Sequence, residues 1–164
     1  MSIAFEHVKN QIWEILSEIP DPEIPVVSIV DLGMVKNVTI SNSGVTIYIT
    51  PTYSGCPATE VIEKDIRSVL TQKGYKNVRV LLQHAPAWST DSISSETKKR
   101  LKDYGITPPK KCSSSSHTHE KRNINCAYCD SKDVKITSEF GSTPCKALYF
   151  CNACLQPFEY FKCL

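Results

Sequence analysis

"VTIYITPTYSGCPATEVIEKDI", residues 45–66, changes periodicity in the middle. Val45, Ile47 and Ile49 alternate with polar residues, the period of a half-buried strand. From Ala58 onward the apolar residues Val61, Ile62, Ile66, Val69 and Leu70 return at helical spacing instead. Between the two lies "SGCP", where a thiol stands between a glycine and a proline. A strand passing through a tight corner into an amphipathic helix is the unit of layered α/β architecture.

The flanks extend the same pattern. Ile3, Val8, Ile12, Ile15, Leu16 and Ile19 share one face of a helix over residues 3–19, which Pro20 stops. "DPEIPVVSIVDLGMV", residues 21–35, is a proline-punctuated loop, and "VKNVTI" with "VTIYIT" form a hairpin across "SNSG". The second helix ends at Lys73-Gly74, "NVRVLL" supplies a third strand, and a polar helix over residues 94–103 stops at Gly105. The expected fold is α+β: a small layer domain with a three-stranded mixed sheet and helices over residues 1–106, then a linker over 107–123. A zinc ribbon of short antiparallel strands occupies 124–164. The linker, "TPPKKCSSSSHTHEKRN", is too rich in proline, serine and charge to bury a core, and Cys112, His117 and His119 in it read as solvated spacer residues.

The 164 residues carry a net charge of +2, so composition points to no nucleic-acid or membrane partner. No stretch approaches the roughly 18 apolar residues of a membrane span. The N-terminus lacks the order of a secretory signal, which predicts a cytoplasmic protein with reduced thiols. Eight cysteines in that setting indicate metal or thiol chemistry. Seven of them fall between Cys112 and Cys163.

"CAYC" pairs Cys126 with Cys129 and "CNAC" pairs Cys151 with Cys154, with 21 residues between the pairs. Each two-residue gap lets a tight turn aim both sulfurs at one ion, and two turns complete a tetrahedron. Four sulfurs leave no open position, so the expected site is a structural zinc, with iron on the same ligands as the other option. "KITSEF", "ALYF" and "FEYFKC" supply the strands. Cys145 and Cys163 are surplus to the tetrahedron; they read either as small packed hydrophobes or as an additional thiol pair.

Cys56 precedes Pro57, a residue suited to the first helical position, which makes Cys56 the expected N-cap. Amide N–H groups and the helix dipole there favour a thiolate able to hold a soft metal or attack sulfur. Asp21, Glu23 and Asp31 bring three carboxylates to one loop, and Thr50, Thr52, Tyr53 and Ser54 could orient them. A plainer alternative stands beside this: Asp21 caps a turn, Asp31 bonds the loop backbone and Cys56 is inert. His84 reads as structural. No Ser/His or Cys/His pair and no phosphate loop marks a catalytic centre, so no catalytic residue is assigned and the chain is expected not to be an enzyme.

"DPEIPVVSIVDLGMV", "TPTYSGCPATEVIEKDI" and "PAWSTDSISSETKKRLKDYGI" resemble the MIP-type metal–sulfur cluster assembly domain. With "FGSTPCKALYFCNACLQPFEYFKC", the whole is similar to the PaaD subunits encoded with phenylacetyl-CoA ring epoxidases in phenylacetate degradation. The resemblance implies an α/β fold and assistance to iron–sulfur maturation, with Asp21, Glu23, Asp31 and Cys56 as the functional loop and reactive cysteine. It implies a transient iron or iron–sulfur cluster as cargo. The implied partners are the iron–sulfur reductase or oxygenase subunits of the epoxidase complex. The chain itself lacks the paired Glu-x-x-His motifs of a di-iron oxygenase and the dinucleotide fingerprint of a reductase. Three roles follow: a maturation factor acting through Cys56, a structural adaptor binding through the ribbon, or a thiol enzyme joining Cys56 to Cys145 or Cys163. A homodimer is the base expectation for oligomeric state.

Overall fold

In the computed structural model, the described residues are 2–53, 55–109 and 124–163; Ser54, Cys112, His117 and His119 lie outside them. The chain divides into two compact units, Met1–Trp88 and Ser89–Leu164. Among the described residues, no helix is long and apolar enough to cross a membrane.

The first unit has two helices on a three-stranded mixed sheet. Helix α1 spans Ser2–Ser17, β1 Val35–Ser41, β2 Gly44–Ile49, α2 Ala58–Gln72 and β3 Arg79–Leu82. The sheet order is β1-β2-β3, with β1 antiparallel and β3 parallel to β2. The periods read in the sequence account for this. Val45, Ile47 and Ile49 turn one face of β2 inward, while Ile62, Ile66 and Leu70 form the buried stripe of α2. Ile12 and Leu16 do the same for α1, and Ile19 is buried in the turn that follows. Pro20 bridges to Ser28 across the long loop, which fills its inside with Ile24, Val27, Ile29, Leu32 and Met34. Trp88, itself buried, donates its indole N–H to the Leu32 carbonyl at 2.8 Å and so ties the end of the unit back to that loop.

The second unit begins upstream of the linker. Ser94 caps helix α3, Ser95–Asp103, its hydroxyl accepting from the Thr97 N–H at 3.1 Å. Strand β4, Ile106–Thr107, then pairs in parallel with β7, Pro157–Phe161. Strands β5, Val134–Ser138, and β6, Lys146–Cys151, complete the sheet in the order β4-β7-β6-β5, with β5, β6 and β7 antiparallel. The short antiparallel ribbon is thus present, with one parallel strand added at its edge. One buried cluster joins Ile124, Cys126, Ala127, Ala147, Tyr149, Cys151, Phe158 and Tyr160, and Ile93, Leu101, Ile106 and Phe161 are buried in the same unit. Tyr149 stacks on Phe158 at 5.8 Å and meets Tyr160 edge-on at 5.9 Å.

Candidate metal centre and the Cys56 joint

The sulfurs of Cys126, Cys129, Cys151 and Cys154 all lie within 4.8 Å of one another. Cys126 is 3.6 Å from Cys154, and Cys129 is 3.6 Å from Cys151. Thiolates about 2.3 Å from a tetrahedral ion have sulfur–sulfur edges of about 3.8 Å, so the donor set fits such an ion.

Two copies of one turn bring the sulfurs together. In the first, the Asp130 N–H donates to the Cys126 carbonyl at 3.1 Å and the Cys126 N–H to the Ser131 carbonyl at 2.9 Å. In the second, Leu155 donates to Cys151 at 3.0 Å and Cys151 to Gln156 at 3.0 Å. Asp130 and Leu155, the residues directly after each Cys-x-x-Cys, both take positive φ, 59° and 60°. Asp tolerates that conformation; Leu does so at a cost of roughly 1 kcal/mol. Asp130 is also held from outside, its carboxylate meeting the Lys102 ammonium of α3 at 2.6 and 2.8 Å. Gly105, at φ 93°, lies so close under the Tyr128 hydroxyl that a side chain would meet it at 2.6 Å. Helix α3 and β4 therefore brace the first turn. Spacing in the sequence revealed the four cysteines but not these braces, which lie on the far side of the linker.

The surroundings of the clustered thiols shift Cys151 and Cys154 in opposite directions. The Cys154 N–H, joined by that of Ala153, draws the Cys151 thiol down to about 7, whereas burial pushes Cys154 up to about 12. Four sulfurs this close cannot all ionise without a positive charge among them. A bound metal ion deprotonates them outright.

Cys56 sits at the strand-to-helix corner, half-buried, between exposed Gly55 and Pro57. Helix α2 starts one residue later than expected: Pro57 is the N-cap, with no side-chain cap, and the Cys56 carbonyl accepts from the Thr59 N–H at 3.2 Å. Proline's fixed φ of −65° suits either position, which is why spacing alone could not separate them. Thr50 and Thr52 are buried and Tyr53 half-buried; the Thr50 hydroxyl has no partner among the described residues.

In the acidic loop, Asp21 is buried and accepts from the Glu23 and Ile24 N–H groups at 2.9 and 2.8 Å. Asp31 accepts from the Ser28 N–H at 2.8 Å, and its own N–H donates to the Ser28 hydroxyl at 3.0 Å. Both carboxylates thus also shape the loop, while Glu23 is exposed. Cys145 is buried, its sulfur 3.0 Å from the Thr143 hydroxyl and outside the four-sulfur cluster. Cys163, a surplus thiol in the sequence, is instead disulfide-bonded. Pairing follows from which sulfurs a fold brings within reach, and spacing does not encode that. His84 is exposed.

Residues 110–162 match the family described as PaaD zinc beta ribbon domain, and residues 9–82 match the family described as iron-sulfur cluster assembly protein. The chain is 51% identical, over 94% of its length and 93% of the other's, to an Escherichia coli (strain K12) protein assigned as one of the subunits of a 1,2-phenylacetyl-CoA epoxidase. It is 37% identical, over 62% of its own length and 97% of the other's, to an Fe-S protein maturation auxiliary factor of Porphyromonas gingivalis (strain ATCC BAA-308 / W83). A solved DUF59 domain of unknown function from Bacillus anthracis superposes with a TM-score of 0.58 at 31% identity, covering 62% of this chain and 97% of that one. With both domain types present in order and half of all positions shared along nearly its full length, the chain belongs to the PaaD family, an iron–sulfur cluster assembly domain continued by a zinc beta ribbon.

Proposed function

We propose that the chain is a non-catalytic accessory protein of a phenylacetyl-CoA ring epoxidase system in phenylacetate degradation. It assists assembly or delivery of an iron–sulfur cluster to the reductase component through Cys56, with the cluster as cargo. The observation that carries this reading is the 51% identity to the Escherichia coli epoxidase protein across 94% of the chain. The likeness of its first part to an Fe-S protein maturation factor supplies the chemistry. Cys56 offers a soft donor at a corner rather than inside an element, and the family resemblance groups it with Asp21, Glu23 and Asp31. In the ribbon, Cys126, Cys129, Cys151 and Cys154 would hold zinc, which supplies a cross-link between the two turns. Six of the described cysteines, Cys56, Cys126, Cys129, Cys145, Cys151 and Cys154, are free thiols, as suits a reducing cytoplasm, while Cys163 is disulfide-bonded.

Replacing Cys56 by Ser tests the reading. The variant should keep its fold and its ribbon metal, yet reductase produced alongside it should carry severalfold less cluster by visible absorbance and iron content. Fully loaded reductase would refute delivery through this thiol. A second reading, a structural adaptor held to the epoxidase complex by the ribbon, is favoured by the exposed, uncharged residues around Cys154. In that case Cys56→Ser is silent, and loss of ribbon cysteines abolishes co-purification.

A further inference from the structure

The two cysteine turns share a backbone but present different surfaces. The first is followed by charge, "DSKD" at residues 130–133, and its left-handed residue, Asp130, is engaged by Lys102. The second, "CNACLQP" at residues 151–157, carries no charge, although charged residues make up 22% of the chain. Asn152, Ala153, Leu155, Gln156 and Pro157 are all exposed. Leu155 shows 67% of its surface, the largest exposed fraction among the described large apolar residues. It does so at φ 60°, where the backbone favours Gly or Asn. A bulky apolar residue is thus held in an unfavourable conformation with its side chain turned to solvent.

We propose that this second turn is the surface by which the ribbon docks a partner protein presenting an uncharged, apolar pocket, with Leu155 as the anchor. The absence of charge decides the kind of partner. A phosphate backbone or an anionic membrane would call for Lys or Arg here, whereas the buried centres of protein interfaces are depleted in charge. Rigidity adds to the case. Leu155 donates to the Cys151 carbonyl, Cys151 to the Gln156 carbonyl and Asn152 to the Asp133 carbonyl at 2.9 Å. The Asn152 side chain also occupies the Asp133 carboxylate at 2.8 Å, the acidic group next to the turn. An anchor already fixed in place loses little freedom on binding.

The inference rests on the epoxidase reading for the identity of the partner, so purified epoxidase reductase and oxygenase components serve as probes. Binding to the metal-loaded full chain is measured by calorimetry for the wild type, Leu155→Asp, Leu155→Asn and Cys56→Ser. Leu155→Asp should weaken binding at least tenfold, with unchanged metal content and circular dichroism. Leu155→Asn, which relieves the backbone without adding charge, should weaken it less, and Cys56→Ser should bind as the wild type does. Should Leu155→Asp lose metal, Gln156→Lys puts a charge on the same surface without touching the backbone bonds, and its tenfold loss decides the matter. Equal binding by the charge-bearing variants overturns the docking proposal alone. Loss of a self-associated state in sedimentation, with component binding intact, means a second copy covers the turn and overturns it too. If Leu155→Asp abolishes binding while Cys56→Ser still loads the reductase, docking stands and delivery through Cys56 falls. If the wild type binds neither component, both fall.

Discussion

Gly44 opens β2 at φ 136°, and a Cβ there would collide with the Asn77 carbonyl oxygen of the loop that leads into β3. Both the dihedral and the space therefore demand glycine. Gly44→Ala should cost the first unit about 2–4 kcal/mol, since it combines strained backbone with overpacking against a main-chain atom. Urea titration followed by tryptophan fluorescence would measure this, because Trp13 and Trp88 both lie in that unit. At this scale the sequence was legible where a residue type has one use. "SGCP" marks a corner whatever surrounds it, and four cysteines in two close pairs mark a tetrahedron. It was illegible where a side chain has several uses. Asp21 and Asp31 could serve cargo or backbone, and their bonds to the N–H groups of Glu23, Ile24 and Ser28 depend on a loop path that composition does not state.

Between β6 and β7 an ion pair lies where apolar residues would be expected. The Lys146 ammonium, with 3% of its side chain exposed, meets Glu159 at 2.8 Å, and the other Glu159 oxygen accepts from the Ser142 N–H at 2.7 Å. Burial alone would raise the Glu159 carboxyl, but Lys146 and the Ser142 N–H outweigh it and hold it below its ordinary value. The unfolded chain therefore binds more protons in acid. The pair's contribution is fully present above the unfolded value of about 4.3 and is lost as pH falls through the depressed folded value. Glu159→Gln leaves a buried ammonium uncompensated and should destabilise the ribbon by about 2–4 kcal/mol at pH 7. Melts of variant and wild type should converge towards pH 3, and a gap independent of pH would remove the ion pair from the account. The Glu in "FEYF" reads as the outward residue of an alternating strand, so the period alone did not flag it as half-buried. Strand β4 escaped for a simpler reason: two residues, Ile106 and Thr107, have no period at all.

Across the whole molecule, the first unit is organised around an apolar core alone and the second around apolar residues together with a four-cysteine cluster that can hold a metal ion. The alternating and helical periods made the helices and strands of the first legible from its sequence, since their core positions repeat at fixed intervals, whereas the buried Ile24, Val27, Ile29, Leu32 and Met34 of the loop follow no period. The second was legible at its four cysteines, its three ribbon strands and its polar helix, but not at strand β4. Chelation should therefore act on one unit alone. Binding at such a thiolate site amounts to folding free energy on the order of 10 kcal/mol. Metal removal should abolish the near-ultraviolet signal of Tyr149 and Tyr160 while the tryptophan melt of the first unit persists. A single cooperative transition lost on chelation would contradict that division. Strand β4 carries a consequence for anyone cutting the chain. Because Ile106–Thr107 lies against β7, the segment between residues 107 and 124 joins two parts of one sheet rather than two separate bodies. A protease that nicks it should leave both fragments bound to each other, and a peptide beginning at Ile124 would carry a raw, sticky edge where its missing neighbour belongs.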